Sequence, residues 1–500
     1  MPFDATFLMR LYANFRLAAL AAEDPATTQA RQLLDLVRRA RGTRFGRDHG
    51  FTSIRSVADY QARVPLRRHA DLWSEYWAAA WPVLEDATWP GRIPYFAFTS
   101  GTTSGASKLI PVSGAMVSAN RRAALDVLAH HLAAAPRGRV LAGPTLMLGG
   151  STVLEQLAGG VWKGDLSGIA AREVPAWARP WSFPPAEAAL DPDWDRKLDR
   201  LARLAPGRDI RAITGTPGWV LAFLERLGRP AREAFPHLEL YVHGGVNFAP
   251  YRSRFAELLA GVATREVYPA SEGFVAIADR GPGDGLRLVA DNGLFFEFVP
   301  VDELDRPAPS RYWTGNVRAG VDYALVLTSC AGLWSYVVGD TVRLVDTRPL
   351  RLRVTGRVGW MLNAFGEHLS GEQLDDAVVT AAAGAPVTDY AAGAAFADDH
   401  RGRLVVVVEF AGPLPSDFAG RLDRALAAGS LDYAERRAGA VGMAPPWVLC
   451  VGPGFFAEWM RARGRLGGQN KVPRVVTDDA VLADLVGRAR QDRALPVREA

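Results

Sequence analysis

The chain has 500 residues, 49% hydrophobic and 22% charged, with 58 Lys and Arg against 54 Asp and Glu. That balance is ordinary for a soluble globular protein of more than one domain, and a net charge of +4 without a basic block speaks against a nucleic-acid partner. Two cysteines, Cys330 and Cys450, exclude a disulfide framework and a thiolate zinc site, and eight scattered histidines do not suggest a metal held by imidazoles.

The first ninety residues read as helices. An amphipathic pattern runs through Phe7, Leu8, Leu11, Phe15 and Ala18, and a second spans residues 28–41. The opening MPFDATFLMRLYANF is interrupted by Asp4 and Arg10 and lacks the profile of a secretion signal. No apolar run approaches the roughly 20 residues of a membrane span. A cytoplasmic location is therefore expected. From Pro94 short apolar strands alternate with helices: IRAITGTP (210–217) and LELYVHGGV (238–246) read as buried strands, with helical patterns at 219–227 and 251–259. This alternation predicts an α/β fold with a largely parallel sheet.

Between 286 and 355 the pattern turns β-rich. Asn292-Gly293 predicts a hairpin, and YALVLTS, LWSYVVGDTVRLV and LRLRVTGRV follow as strands. After about residue 358 a separate α+β unit is expected, with a helix over 370–382, the strand RLVVVVEFAG, further helices and WVLCVG. The expected organisation is a large N-terminal domain, 1–357, and a small mobile C-terminal domain, 358–500, joined by a short hinge.

Four stretches carry chemistry. TSGTTSGASK (99–108) places six Ser/Thr, two glycines and a lysine directly after an aromatic strand. Such a loop lets backbone N–H groups, hydroxyls and an ammonium approach phosphate oxygens, although a solvated surface loop has the same composition. It is not a Walker A loop, because Lys108 follows Ser107 rather than Gly. In VYPASEG (267–273), Glu272 at a strand end could hold Mg²⁺ against a triphosphate; the alternative is a helix capped by Ser271. In SYVVGDTVRL (335–344), Asp340 ends an apolar strand at a glycine turn, where a carboxylate can accept bonds from both ribose hydroxyls or simply complete the turn. Thr355-Gly356-Arg357 forms a turn at the expected domain boundary, where Arg357 could also be a structural ion-pair partner. Lysine occurs only at Lys108, Lys163, Lys197 and Lys471, against 54 arginines, so each ammonium invites a role that a guanidinium cannot fill.

The order of these motifs is that of adenylate-forming enzymes. The chain resembles the acyl acid amido synthetases of the auxin-responsive Gretchen Hagen type, the jasmonate- and auxin-conjugating family. GTRFGRDHGFTSIRSVADYQARVPLRRHADL (42–72) is similar to the family's lead-in. TSGTTSGASKLIPVS, YPASE and YVVGD are similar to its three nucleotide motifs, and GGQNKVPRV (467–475) to its C-terminal Gln-x-Lys-x-Pro-Arg stretch.

The resemblance implies that Ser100, Gly101, Thr102 and Thr103 meet the α-phosphate, and that Gly244, Gly245 and Val246 line the adenine and acyl sites. It places Tyr268 against adenine with Ala270 and Ser271 nearby, Mg²⁺ on Glu272, the ribose on Asp340, and the ribose or hinge on Arg357. Where plant members carry a lysine near the start of the C-terminal domain, NAFGEHLSGEQL (363–374) has Glu367 and His368. Which of Glu367, His368 or Lys471 faces the phosphates is left open by this departure; the resemblance of 467–475 to the C-terminal motif makes Lys471 a candidate for the phosphate or acyl-adenylate oxygens. The implied activity is an ATP- and Mg²⁺-dependent ligase: a carboxylic acid is adenylated with release of pyrophosphate, then passed to an amine, an amino acid in the family's pattern. Lys471, Glu272 and Thr102 would carry catalysis, mostly by positioning and charge neutralisation. An acyl-CoA ligase and a non-catalytic nucleotide-binding relative are the rival readings. Partners would be small molecules only, with no nucleic acid or membrane, and a monomer is expected.

Overall fold

The computed structural model describes residues 3–99, 108–149, 153–189, 191, 194–246, 248, 251–281, 283–358, 362, 369–396, 402–415, 417–430, 433–434, 437, 443–464, 471–476 and 478–492. The chain forms two compact units: residues 1–245 with 261–353, and residues 246–260 with 354–500.

The first unit opens on α1 (Thr6–Ala21), which buries Met9 and Ala13 against the helix Gly114–Ala134 and the strands behind it. The apolar pattern read from the sequence lies on the other side. Phe7, Leu8, Leu11 and Phe15 face solvent, because the packed face is made instead by smaller residues and by anchored polar ones. Arg10 donates to the carbonyls of Leu132, Ala135 and Gly138, and Arg16 bonds both Asp126 and Asp291.

Sixteen strands follow in chain order across two sheets. A four-stranded sheet contains β1 (Tyr95–Thr99), β2 (Lys108–Val112), β4 (Leu154–Gln156) and β5 (Trp162–Gly164) in the order β2-β1-β5-β4. The larger sheet has twelve strands. Its parallel part joins β6 (Ser182–Phe183), β3 (Thr145–Leu148), β7 (Ala212–Gly215), β8 (Leu240–Gly244) and β9 (Ala263–Ala270). Its antiparallel part runs through β10 (Gly273–Ile277), β11 (Leu286–Leu288), β16 (Leu350–Arg357), β15 (Tyr336–Thr347), β14 (Asp322–Ser329), β12 (Leu294–Pro300) and β13 (Tyr312–Trp313). The α/β and β-rich stretches of the sequence are thus one continuous sheet. The hairpin β9–β10 is where parallel pairing gives way to antiparallel.

Asn292-Gly293 makes a turn, with Gly293 at φ +76°, but not the predicted hairpin: β11 and β12 pair with other strands. Distant side chains redirect this segment. Asn292 Nδ2 donates to the Ala119 carbonyl at 2.8 Å, and Gln29 Nε2 donates to the carbonyls of Ala290 and Leu294.

In the second unit, β17 (Val387–Phe396), β18 (Gly402–Phe410), β19 (Ala444–Val451) and β20 (Val475–Val476) lie in the order β19-β18-β17-β20. Both faces are covered, and the strands alternate accordingly. Val406 and Val408 join one core with the helices Gly371–Ala382 and Phe418–Gly429, while Val407 joins another with Phe455–Ala462 and Asp479–Gln491. The expected helix over 370–382 starts from a reciprocal capping box: Ser370 Oγ accepts from Gln373 N at 3.2 Å and Gln373 Oε1 accepts from Ser370 N at 2.9 Å.

Candidate functional site

Ligands in open α/β sheets meet the carboxyl ends of parallel strands, where backbone groups are released from the ladder. In the first unit those ends carry the sequence motifs. β8 closes on Gly244 and Gly245. A Cβ on Gly244 would stand 2.2 Å from the Val267 carbonyl oxygen, so only glycine allows this approach of β8 to β9, one residue before Tyr268. Gly245 then turns the chain at φ +84°.

β9 ends in YPASE. Ala270 pairs with Gly273, so Ser271 and Glu272 form a two-residue hairpin turn, and the alternative of a Ser271-capped helix is replaced by this hairpin. Both residues are buried despite their polarity. Ser271 Oγ donates to the Phe98 carbonyl at 3.1 Å, which ties the turn to the end of β1. That end leads into the Ser/Thr-rich loop. Thr99 pairs directly with Lys108 across the antiparallel strands β1 and β2. Ser100, Gly101, Thr102 and Thr103 lie outside the described residues.

Tyr268 and Asp340 meet. The buried Tyr268 hydroxyl donates to Asp340 Oδ2 in a short hydrogen bond. Asp340 does not end its strand as the sequence suggested. It sits in a bulge of β15, where Val338, Gly339 and Asp340 stand opposite Leu325 alone, with Gly339 at φ +99°. The bulge re-aims the carboxylate without terminating the strand. In the first unit the structure thus brings together the ends of β1, β8 and β9 and the bulge of β15.

Val246, Arg357 and Lys471 belong to the second unit. Arg357 ends β16 half-buried, after Gly356 at φ +148°. Lys471 is exposed. Three residues on, Arg474 is anchored: its guanidinium bonds the Asp389 carboxylate and the Tyr390 carbonyl, approaches Asp375 Oδ1 at 3.4 Å, and lies 4.4 Å from the centre of the Tyr390 ring. Sequence reading singled out the lysine of this motif and passed over the arginine. Glu367 and His368 lie outside the described residues.

The lysines divide by environment. Lys163 pairs with Glu155 at 3.0 Å across β4 and β5. Lys197 is buried, its ammonium donating to the Gly149 carbonyl just past β3 at 3.1 Å, and burial lowers its pKa to about 8 despite Asp165 and Asp191 nearby. Only its rarity in the sequence hinted at this site. Among the described residues no group of three or more His, Cys, Asp or Glu is placed to hold a metal, and no helix is long and apolar enough to cross a membrane.

The chain superimposes on an acyl acid amido synthetase, GH3.15, in complex with 2,4-DB, with a TM-score of 0.78 at 16% identity over 95% of each chain. Against a 2-hydroxyisobutyryl-CoA ligase in its postadenylation state the TM-score is 0.59 at 17% identity, over 92% of this chain and 91% of that one. The chain belongs to the GH3 family: the family's N-terminal domain matches residues 17–205, its central domain 287–357 and its C-terminal domain 372–480. Two rice proteins are similar in sequence. Indole-3-acetic acid-amido synthetase GH3.8 of Oryza sativa subsp. indica is 29% identical over 42% of this chain and 38% of its own length. The probable indole-3-acetic acid-amido synthetase GH3.9 of subsp. japonica is 28% identical over 46% and 57%. The matched stretches therefore span about half or less of this chain and under two thirds of either relative.

Proposed function

We propose that this chain is an ATP-dependent acid–amine ligase. A carboxylate oxygen of the acid attacks the α-phosphorus of ATP and pyrophosphate leaves; an amine nitrogen then attacks the acyl carbon, AMP leaves, and an amide is formed. The amine is an amino acid in this reading, by analogy with the amido synthetases the chain is similar to. The observation that carries the proposal is the convergence of Tyr268, Ser271, Glu272 and Asp340 at the end of the β1–β2 hairpin. It supports an ATP site with Asp340 on the ribose, Tyr268 with Ala270 beside adenine, and the loop residues Ser100, Gly101, Thr102 and Thr103 on the α-phosphate. Gly244 and Gly245, with Val246 beyond them, would border the adenine and acyl sites.

The residues present fit Mg²⁺. It binds readily through one or two carboxylates plus phosphates and water, so a single buried carboxylate, Glu272, suits it where a dedicated cage is absent among the described residues. When bound, the ion neutralises phosphate charge. The chain's own contribution is to orient ATP and acid and to supply positive charge from Lys471 and, at the hinge, Arg357. Residues 1–357 would hold ATP and acid, and 358–500 would move between the two half-reactions. Two buried cysteines outside any disulfide suit a reducing cytoplasm.

ATP–pyrophosphate exchange across a panel of carboxylic acids tests the first half-reaction; no exchange with any acid would leave only a nucleotide-binding relative. Offering the active acid with either amino acids or coenzyme A then tests the acceptor. An amide is expected, and a thioester alone would make the chain an acyl-CoA ligase.

A further inference from the structure

The outward face of α1 is unusual for its chemistry. Phe7 is 69% exposed, Leu8 58%, Leu11 43% and Phe15 78%. Leu8, Leu11, Phe15, Ala18 and Ala22 recur at alternating spacings of three and four, the seam one helix offers another. All five are exposed. The helix's arginines are not available to flank this seam, since Arg10 and Arg16 are turned into the fold by the bonds described above.

We infer that this face of α1 is a dimerisation surface whose partner is α1 of a second copy, packed antiparallel about a two-fold axis. Three properties select that occupant. The seam carries no Lys or Arg, which a helix lying on an anionic membrane or an acidic partner would use. It is bulky towards one end and small towards the other, so antiparallel pairing sets Leu8 of one copy against Ala18 of the next. Its area is also sufficient. With a whole aromatic side chain worth about 200 Å², Phe7 and Phe15 leave about 300 Å² open, and the two leucines bring one face to about 500 Å². Two such faces bury about 1,000 Å², the area a specific interface must clear, and a patch of about 500 Å² lies in the upper part of the range for a monomer. The inference departs from the monomer expected from the sequence and does not depend on the proposed reaction.

Sedimentation of the full chain at micromolar concentration tests it. A dimer is expected for the wild type and a monomer for Leu11→Glu/Phe15→Glu, with an unchanged far-UV spectrum because both positions are outside the core. A monomeric wild type, or a variant that still dimerises, overturns the proposal, as does wild-type sedimentation with phosphatidylcholine vesicles in place of self-association. Cysteine pairs test the direction. Within one helix residues 8 and 18 are about 15 Å apart, too far for an internal disulfide. Leu8→Cys/Ala18→Cys should therefore cross-link between copies on oxidation while Leu8→Cys alone does not. Cross-linking by the single variant would mean parallel packing, and none by the double variant would reject this pairing.

Discussion

The Tyr268 hydroxyl donates to the Asp340 carboxylate, joining the YPASE and YVVGD stretches across 72 residues of sequence. The bond fixes the direction of a carboxylate that the β15 bulge has already turned out of the ladder. Tyr268→Phe removes the orienting donor and should raise the KM for ATP about tenfold or more, with kcat less affected, because hydrogen bonds to charged groups are worth about 1.5–3 kcal/mol. Asp340→Asn should act in the same direction. Acid-dependent pyrophosphate exchange at varied ATP checks this, and an unchanged KM in both variants would remove Asp340 from the ATP site.

Glu272 occupies a turn whose partner residue, Ser271, is pinned to β1. Glu272→Gln keeps the size of the side chain and deletes its charge. The expected outcome is loss of at least about a hundredfold in exchange rate at saturating Mg²⁺, the scale of removing one preorganised electrostatic group. Circular dichroism should remain that of the wild type. Exchange near the wild-type rate would exclude a metal role.

The turn that carries Ser271 and Glu272 was legible as a strand end, because Pro269 and Gly273 punctuate the chain there. The strands β7 and β8 were legible for the same reason: they are short apolar runs between helices. What was not legible depended on partners far away in sequence. Asn292 spends its side chain on Ala119 rather than on its own turn, so a good hairpin dipeptide makes none. The period of α1 was visible, but periodicity does not say which face is packed, and Met9 and Ala13 give a weaker signal than Phe7 and Phe15. The bulge at Gly339-Asp340 reads locally as a strand end. The role of Arg474 needed two aspartates, Asp375 and Asp389, that only folding brings to it.

Lys471 is exposed, while Arg474, three residues on, is held by the carboxylates of Asp375 and Asp389. Lys471→Ala should slow one half-reaction far more than it weakens ATP binding, and Lys471→Arg should rescue it only in part, because a planar guanidinium follows a moving target less well than a point charge. Single-turnover assays of adenylation and of amide formation locate the loss. Wild-type rates for both variants in both steps would make Lys471 a surface residue only.

Lys197 predicts a pH effect on stability. Burial lowers its folded-state pKa to about 8 from the ordinary 10.5. Below about pH 8 both states carry the proton and burial of the charge opposes folding in full; between about 8 and 10.5 the folded chain releases the proton first, so stability rises with pH. Lys197→Met should be more stable than the wild type below pH 8, and the difference should shrink as pH rises. Parallel denaturant titrations at pH 7, 8 and 9 measure it. A difference independent of pH would contradict the titration.

If this chain joins acid to amine through an acyl-adenylate, oxygen passes from the acid to the nucleotide. With the carboxylic acid labelled with ¹⁸O in both oxygens, attack on the α-phosphorus places one labelled oxygen in the bridge, and the amine's attack on carbon leaves that oxygen with the nucleotide. Mass spectrometry of the products should find one ¹⁸O in AMP for each amide formed, and none in pyrophosphate. Labelled inorganic phosphate with ADP as the nucleotide product, or amide formed with unlabelled AMP, would contradict it.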